Sequence, residues 1–567
     1  MSETLDETDF DYIVLGTGFN ESVLAGAFAR AGKKVLHFDS QKNYGSNWSV
    51  FGFKEAAQWY FNGDKKLNES AQPGTLIFDN NISETNGVAL IDMLKVEYEK
   101  QYASNFRFVD FKVYPTLLSK EESETIRANC AEGTLTKETL ISSAHSTEKR
   151  LLEKYSETLD GQDPYDVVCQ MTTFDKLLKA SRSYNIDTAP KLLNSREELV
   201  EVLIRSGVGR YLEFKSVDDL YIFDKAIKKL EKVPGSKEDV FTSKSISLIE
   251  KRKLMRFLTF AMEYKNGDTE VEEEKFKISG KLLEAIIYAI ALVDQNASTK
   301  HGLDSTHKFV KSMGRFGRGS YLCALYGGAG EVAQAFCRVC AVYGGIYVLN
   351  TPIDRIMVDS ETNECTGIVT KEGSEYKCKV LVSGVDYLPL SCLPNEGDFG
   401  SWVSRAVVVT DHPLKDAETC DALAYSVFPS DSDAGNSECP IYIIHQSQEI
   451  YPFDEICIDV TYLWTASRSE GALENALNIL LKKNEGNTDE QSIKCIFKML
   501  YDQRIRSVND LENSAKIPKC IAPCSDPDVS LDFQNSMKEV IEFFYKFEGK
   551  DAEFMPAAEN DPNDEYQ

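Results

Sequence analysis

Two glycines and a glutamate near the start of the chain have a spacing that could bind a dinucleotide. Gly16 and Gly18 follow the apolar run DYIVL, and Glu21 stands where a third glycine would complete the pattern Gly-x-Gly-x-x-Gly. In this pattern a pyrophosphate binds at the start of the following helix, and the third glycine lets that helix pack close to the strand. Glu21 adds bulk and a carboxylate there, so we expect it to oppose the binding of an anionic cofactor.

The residues around this turn leave two interpretations open. Asp39 follows the next apolar run, where an acidic residue could bind a ribose hydroxyl, so the chain could be a flavin or nicotinamide oxidoreductase. The glutamate at position 21 favours the other interpretation, in which an inherited scaffold binds no cofactor. An absorbance spectrum of the purified protein distinguishes the two, because a flavoprotein is yellow.

A second pair of potentially reactive residues, Cys337 and Cys340, forms a C-x-x-C pattern. A redox pair of the thioredoxin type precedes a helix at the end of a strand, whereas these cysteines lie one turn apart within a predicted helix. No second C-x-x-C completes a zinc site, and the six histidines have no metal-ligand spacing. We therefore predict two small buried helix residues and no metal site here.

The elements around the glycine turn predict a βαβ unit of the dinucleotide-binding type. Residues 11–15 and 34–38 are typical of buried strands, and residues 20–31 between them have helical spacing. Ser195 and Glu198 have the spacing of a capping box at the start of a later helix. The predicted fold class is α/β: a large flavoprotein-like (FAD/NAD(P)-binding, Rossmann-like) domain with a smaller inserted all-α domain.

The order of these patterns predicts that the larger domain is discontinuous. The expected segments are domain I at 1–61, an acidic, partly disordered insertion at 62–183, the first part of helical domain II at 184–211, strands of domain I at 212–235, the second part of domain II at 236–311, the remainder of domain I at 312–550, and an acidic tail at 551–567 that we expect to be disordered.

Composition excludes several classes of protein. With 567 residues the chain is too long for one hydrophobic core, and two or three domains are expected. The net charge of −27 argues against nucleic acid as a partner, because the diffuse field repels phosphate backbones. The N-terminus lacks the pattern of a secretory signal, and the most apolar helical stretch, near 283–293, is about half a membrane span. We expect a cytosolic protein with reduced thiols.

Two long blocks of the sequence resemble the Rab GDP-dissociation inhibitor and Rab escort protein superfamily. DYIVLGTGFNESVLAGAFARAGKKVLHFDSQKNYG contains the glycine turn, and YLCALYGGAGEVAQAFCRVCAVYGGIYVLNTPID begins at Tyr321. YNIDTAPKLL and VGRYLEFK match between them in the family's order. The family shares its fold with flavoproteins but binds no flavin, so the resemblance implies no cofactor. Trp48, the predicted helix at 250–264 and the chain length are similar to the escort branch rather than the inhibitor branch.

The resemblance implies a binding surface for GDP-bound Rab GTPases on the α/β domain. The positions that match this surface, here called the platform, are Tyr44, Glu331, Gln334, Arg338 and Tyr347. Their chemistry suits the role, because residues seven apart share one face of a helix, and a polar face beside tyrosines is typical of a wet protein interface. The family's proline before Gln334 is replaced by Ala333, so we expect a looser turn into this helix.

The resemblance to escort proteins also implies that this chain acts together with other proteins. The chain would present the C-terminal cysteines of a Rab to the Rab geranylgeranyltransferase α/β heterodimer, as its non-catalytic component A, and would deliver prenylated Rab to membranes through transient contact. The alternative, a Rab GDP-dissociation inhibitor, recycles prenylated Rabs and does not support prenylation.

Three further groups of residues follow from the resemblance. A basic run that corresponds to a mobile loop near the exit path of the Rab tail comprises Lys308, Lys311, Arg315 and Arg318. The aromatic candidates for transferase docking, of which one could be exposed and one buried, are Phe257 and Phe260. Candidates to line a site for the geranylgeranyl lipid are Leu199, Val202 and Leu203, or Ile286, Ala289 and Ile290.

Overall fold

A computed structural model describes the chain over residues 5–63, 91–217, 219–235, 237–242, 246–264, 276–293, 297–412, 423–446, 459–467, 471–482, 493–512 and 516–557. The strands are β1 (Asp9–Leu15), β2 (Val35–Phe38), β3 (Val50–Phe51), β4 (Ile91–Lys95), β5 (Phe106–Val113), β6 (Ile186–Asp187), β7 (Leu193–Asn194), β8 (Phe214–Val217), β9 (Asp219–Asp224), β10 (Lys229–Lys232), β11 (Tyr321–Ala324), β12 (Ile346–Val348), β13 (Ile353–Asp359), β14 (Cys365–Thr370), β15 (Glu375–Gly384), β16 (Ser401–Thr410), β17 (Leu423–Phe428), β18 (Ile441–Gln446), β19 (Asp459–Thr465), β20 (Cys495–Ile505) and β21 (Ile521–Cys524).

Among the described residues, helices follow one another without an intervening strand at 120–179 and at 237–312, and strands separate the other helices. The helices are α1 (Phe19–Arg30), α2 (Phe53–Asn62), α3 (Tyr98–Ser104), α4 (Lys120–Ala131), α5 (Lys137–Ser143), α6 (Ser146–Glu157), α7 (Pro164–Lys179), α8 (Glu198–Arg205), α9 (Lys237–Thr242), α10 (Leu248–Glu263), α11 (Lys281–Glu284), which continues as the π-helical turn Ala285–Ile290, α12 (Thr299–Ser312), α13 (Gly328–Val342), α14 (Ala472–Lys482), α15 (Val508–Glu512) and α16 (Gln534–Glu548).

The first large sheet has the Rossmann-like arrangement that the sequence predicts. Its spatial order is β12-β2-β1-β15-β14-β13-β4, with β21 beside β15, and β2, β1, β12, β15 and β21 run parallel. Helices α1, α13 and α16 share one core with α8 on one face of this sheet. The predicted βαβ unit is confirmed, because β1, α1 and β2 lie within about two residues of the predicted bounds.

The second large sheet carries the helical layer. Its order is β10-β9-β17-β18-β19-β16-β20-β5, and helices α6, α7, α10 and α12 share a core with one of its faces, while α14 covers the other. A three-stranded sheet, β7-β11-β8, and the ribbon β3-β6 connect the layers. The mixed α/β class with a Rossmann-like domain is therefore confirmed.

Two parts of the predicted organisation need correction. From residue 91 onward the presumed insertion at 62–183 is built into the fold, because β4 and β5 are edge strands of the two large sheets and α7 packs into the second core; residues 64–90 lie outside the described residues. Helix α8, assigned to the helical domain, packs instead with α1 and α13. The expected capping box is also absent, since Ser195 Oγ donates to the Ser312 carbonyl at 2.5 Å and no side chain caps α8.

The start of the acidic tail is ordered, contrary to the expectation. Phe554 and Met555 are buried against α1, α8 and α16, while residues 558–567 lie outside the described residues. Arg205 Nε donates to the Met555 carbonyl at 3.2 Å, and the Arg30 guanidinium donates to the Pro556 carbonyl. Among the described helices, none combines the length and the apolar character needed to cross a bilayer.

Candidate functional site

The carboxyl ends of β1, β2, β12 and β15 meet at one edge of the first sheet, where open α/β sheets bind their ligands. We call the space between these ends the cleft. At the end of β1 the chain turns at Gly16, whose φ of 99° lies in the left-handed region that favours glycine. Helix α1 begins immediately afterwards, at Phe19.

The side chain of Glu21 fills the space in front of this turn. Glu21 lies in the first turn of α1 and is only 5% exposed. A Cβ atom placed on Gly18 would lie 2.4 Å from Glu21 Oε2, and one placed on Gly384 would lie 2.8 Å from Oε1. The remaining cavity has a volume of about 10 Å³, which is room for about one water molecule. A pyrophosphate group has no space here.

The carboxylate of Asp39 is already fully hydrogen-bonded within the protein. It accepts bonds from the Thr17 amide at 2.8 Å and from the Thr17 hydroxyl at 2.6 Å. It also accepts from the Ser46 hydroxyl at 3.0 Å, the Gln41 amide at 2.7 Å and the Tyr387 hydroxyl at 3.1 Å. Five donors occupy the lone pairs that would bind a ribose, so Asp39 stabilises the loop after β2 instead.

A buried ion cluster closes the other side of the cleft. The Arg506 guanidinium donates to Asp526 Oδ2 at 2.7 Å and to Asp386 Oδ1 at 2.7 Å. The side-chain amide of Asn47 donates to both of these carboxylates, at 2.8 and 3.0 Å, and the Asn105 amide donates to Asp386 at 2.7 Å. All three charged side chains are at most 5% exposed. We call Arg506, Asp386 and Asp526 the cleft cluster.

The residues of the cleft therefore do not fit a dinucleotide cofactor, although the fold is one that often binds FAD. The reason differs in part from the one expected from the sequence. Burial raises the pKa of Glu21 to about 8, and the neighbouring carboxylates of Glu539, Asp526 and Asp39 add to this effect. Near neutral pH the Glu21 carboxyl is mostly protonated, so it excludes the cofactor by volume rather than by charge.

Replacing Glu21 with glutamine should flatten the pH dependence of stability. Since the pKa in the fold, about 8, lies above the ordinary value of 4.5, the folded state prefers the protonated form. The stabilisation that results from this raised pKa is fully present below about pH 4.5. It is lost as the pH rises to about 8, by up to about 1.4 kcal/mol per pH unit. Glutamine keeps the shape of the neutral acid and does not titrate.

Urea unfolding of the wild type and of Glu21→Gln at pH 5, 6.5 and 8 measures this difference. The stability of the variant relative to the wild type should increase with pH. The exposed Glu361 provides the matched control, and Glu361→Gln should give curves parallel to the wild type. Parallel curves for Glu21→Gln as well would contradict the titration of a buried acid.

The platform residues lie beside the cleft on two neighbouring elements. Glu331, Gln334 and Arg338 follow one another along α13, where Glu331 is half-buried and the other two are exposed. Burial raises the pKa of the Glu331 carboxyl, and its Oε2 is buried without a hydrogen-bond partner among the described residues. Val342, one turn further on and 65% exposed, extends this row, although no motif in the sequence pointed to it.

Two tyrosines form the second part of the platform. The rings of Tyr44, in the loop after β2, and Tyr347, in β12, stack with centroids 5.5 Å apart and planes inclined by 22°. His37 contacts Tyr347 edge-on at 5.3 Å, and burial raises the pKa of the Tyr347 phenol. The stack joins the ends of two parallel strands, so Tyr44 is held although it lies in a loop.

Arg338 is oriented by Tyr211, which was not among the residues predicted for the platform. Its guanidinium lies 4.1 Å from the ring centroid of Tyr211, which is itself 45% exposed. Such a cation–π contact fixes the planar guanidinium while leaving its donors free for a partner. A signal was present in the sequence, because Tyr211 belongs to the VGRYLEFK block.

Part of the basic run lies on a helix, and two of its charges are paired. Lys308 and Lys311 belong to α12, and Lys308 Nζ lies 2.8 Å from Asp532 Oδ2. Arg315 donates to Glu201 of α8 at 2.5 and 3.2 Å and to the Ser195 carbonyl at 2.7 Å. Arg318 is exposed and follows these residues. The charges of Lys308 and Arg315 are therefore paired within the fold, and Lys308 and Lys311 lie on a helix rather than in a loop.

An apolar groove opens next to Arg315. Its volume is about 480 Å³, and its apolar lining includes Leu193, Val200, Leu203, Ile204, Phe214 and Phe316. Of the lipid-lining candidates, only Leu203 belongs to this lining. Leu199 and Val202 lie in the core with α1 and α13, and Ile286, Ala289 and Ile290 lie in the core under the helical layer.

Phe257 and Phe260 lie on the same side of α10, and both are half-buried. Both rings contact Phe276, at centroid distances of 5.6 and 5.1 Å. Neither ring is fully exposed or fully buried, because a third aromatic residue covers part of each ring. The three phenylalanines form one aromatic cluster at the surface of the helical layer.

The remaining reactive candidates have structural roles. Cys337 and Cys340 are buried in α13, as the sequence predicts, and Cys337 Sγ donates to the Ser22 hydroxyl at 3.3 Å. Burial raises the pKa of both thiols to about 12, so neither is a nucleophile at neutral pH. In the part of the chain that the structure describes, no three His, Cys, Asp or Glu side chains are grouped so that they could hold a metal ion.

Fold and cleft together define a Rossmann-type α/β protein in which side chains fill the cofactor cleft and an exposed polar helix face lies beside it. Comparison with known proteins agrees, since the model of the family described as GDP dissociation inhibitor matches residues 5–74 and 156–555. The chain belongs to this GDP dissociation inhibitor family.

Individual relatives are similar over most or all of the chain. The mouse (Mus musculus) protein named Rab proteins geranylgeranyltransferase component A 2 is 28% identical, with 99% of this chain and 98% of the relative covered. The Rab GDP-dissociation inhibitor of Saccharomyces cerevisiae is 26% identical over 79% of this chain and 78% of its own. Among solved structures, Rab GDI from Plasmodium falciparum superposes with a TM-score of 0.59 at 17% identity, covering 96% of this chain and all of that one, which supports the fold.

Proposed function

We propose that this protein is a Rab escort protein. It binds a GDP-bound Rab GTPase through the platform, presents the C-terminal cysteines of the Rab to the geranylgeranyltransferase α/β heterodimer, and delivers the prenylated Rab to membranes. The observation that carries the proposal is the exposed row Glu331, Gln334 and Arg338 beside the Tyr44–Tyr347 stack, next to a cleft that cannot bind a dinucleotide.

The escort role is favoured over that of a recycling inhibitor by the extent of similarity. The component A relative from mouse is matched over 98% of its length, whereas the yeast inhibitor is matched over 78%. We propose that the chain carries out no reaction itself and acts as the accessory component of the transferase in the cytosol. Its contact with membranes is transient and occurs at delivery.

The main physical requirement for such a protein is to cover the apolar lipid from water. Each geranylgeranyl group has twenty carbons, and each CH₂ exposed to water costs about 0.8 kcal/mol, so even partial cover stabilises the complex by several kcal/mol. We propose that the apolar groove beside α8 contacts the Rab tail, because Phe316 in its lining adjoins the basic run. The lipid itself would be covered by the helical layer once its apolar helices part, because the candidate residues there are buried in the closed core.

Reconstituted prenylation tests the proposal. Purified transferase heterodimer, GDP-bound Rab and labelled lipid donor are mixed with and without this protein, and lipid incorporation into the Rab is measured. We expect incorporation only when the protein is present. Rab binding without any stimulated transfer would identify the recycling inhibitor instead, and absence of Rab binding would reject both roles.

Variants of the aromatic cluster test the docking of the transferase separately. Phe257→Ala and Phe260→Ala each remove part of the half-exposed surface on α10 and should lower transferase affinity by about tenfold or more, as expected for a buried aromatic anchor. Rab affinity should stay unchanged. Ile227→Ala is the control, because it removes a half-exposed apolar side chain from the turn between β9 and β10. If neither phenylalanine variant changes transferase binding in titration, the docking assignment is wrong.

A further inference from the structure

The helix that carries three platform residues has no capping side chain of its own. Helix α13 is preceded by Gly327, which makes no side-chain cap, and begins at Gly328 with a φ of 48°. The first amides of a helix have no partner within the helix and need one from elsewhere. Because Ala333 replaces the family's proline, we expect a loose turn at this point.

The partner comes from another element, the short strand β6. Asp187 is buried, and its carboxyl accepts a hydrogen bond from the Ala189 amide at 2.8 Å. Burial raises the pKa of this carboxyl to about 7, and the amide of Ala329, in the first turn of α13, acts to lower it. A Cβ atom placed on Gly328 would lie 1.9 Å from Asp187 Oδ2. A side chain at 328 would collide with this carboxyl, so the glycine at 328 is what lets Asp187 lie this close to the first turn of α13.

The same strand also holds the other half of the platform. In the ribbon of β3 and β6, Val50 pairs with Asp187, and the Thr188 hydroxyl donates to the Ser49 carbonyl at 2.8 Å. The Ser49 hydroxyl in turn donates to the Tyr44 carbonyl at 3.2 Å. One ribbon therefore contacts both the start of α13 and the loop that carries Tyr44.

We propose that Asp187 is the positioning residue of the platform. By capping α13 from β6, its carboxylate fixes Glu331, Gln334 and Arg338 at a set distance from the Tyr44–Tyr347 stack. Asp187 is not part of the contact surface; it acts through the helix that it caps. The inference rests on the proposed function, since it concerns the same Rab-binding surface.

The test compares Asp187→Ala with Asp187→Asn. Alanine removes the acceptor, so we expect Rab affinity to fall at least tenfold, while asparagine, which caps helices about as well as aspartate, should restore it to within about threefold. In the prenylation assay, Asp187→Ala should raise the Rab concentration for half-maximal rate and leave the rate at saturating Rab and the transferase affinity unchanged. A general loss of stability would lower all of these together.

Asp163 supplies a matched control, because it caps α7 through the Tyr165 amide at 2.9 Å and lies in the helical layer. Asp163→Ala should leave Rab affinity unchanged. Gly328→Ala should weaken Rab binding by forcing the carboxylate away, and the double variant with Asp187→Ala should then be no weaker than Gly328→Ala alone.

The outcomes separate this inference from the proposed function. A wild-type protein that does not bind GDP-bound Rab rejects the function itself. Wild-type binding together with unchanged affinity of Asp187→Ala overturns the positioning role. Equal losses of Rab and transferase binding in Asp187→Ala, or simple additivity in the double variant, would also overturn it.

Discussion

Replacing Arg506 with methionine is expected to destabilise the protein by about 3–5 kcal/mol, which is a large part of the stability of a typical domain. The guanidinium is 2% exposed and bonds to Asp386 and Asp526, which are 5% and 4% exposed. Without it, two buried carboxylates remain close together with no positive partner. The desolvation of such charges is what makes the loss of one partner so costly.

Urea unfolding followed by tryptophan fluorescence measures the change, since Trp48 lines the cleft. Arg355, 45% exposed and paired only with the adjacent Asp354 among the described residues, is the control, and Arg355→Met should cost less than about 1 kcal/mol. The triple variant Arg506→Met, Asp386→Asn, Asp526→Asn removes the charges together and should recover part of the loss. Equal effects of the two methionine variants would show that the cluster does not stabilise the cleft.

The second large effect is expected at the platform. Arg338→Ala should weaken the binding of GDP-bound Rab by about thirtyfold or more, because arginines in the centre of protein interfaces are frequent hot spots. Arg338 is exposed in the free protein and already oriented over Tyr211, so little entropy is lost when it binds a carboxylate or carbonyl of the partner. Titration of fluorescently labelled Rab gives the affinity directly.

A matched control separates this effect from a general change in charge. Arg150 is also an exposed helical arginine, but it lies on α6 in the helical layer. Arg150→Ala removes the same charge and should leave Rab affinity unchanged. Should Arg338→Ala bind Rab as tightly as Arg150→Ala, Arg338 does not belong to the interface.

Local patterns in the sequence predicted the elements that surround the cleft. The run before Gly16, the helical spacing after it and the next apolar run are short-range signals, so β1, α1 and β2 lie where expected. The relative placement of residues along α13 also follows from helical periodicity alone. The position of Glu21 in front of the glycine turn follows from the sequence pattern, whereas its protonation follows from burial, which no sequence pattern reveals.

The contacts that fill the cleft could not be predicted, because their partners are far apart in the chain. Arg506 and Asp386 are 120 residues apart, and Asn47 and Asp526 are 479 apart. The same reason explains the failed capping box, in which the Ser195 hydroxyl bonds to a carbonyl 117 residues away instead of to its own helix. Tertiary hydrogen bonds replaced the local ones that the spacing suggests.

The filled cleft has a consequence for any attempt to engineer a coenzyme site into this protein. Replacing Glu21 with glycine would vacate one position but leave Asp39 bound to five donors and Arg506 bound to two carboxylates. Each single substitution would lose stability before any new ligand compensated for it. Several positions would therefore have to be redesigned together before a coenzyme could bind.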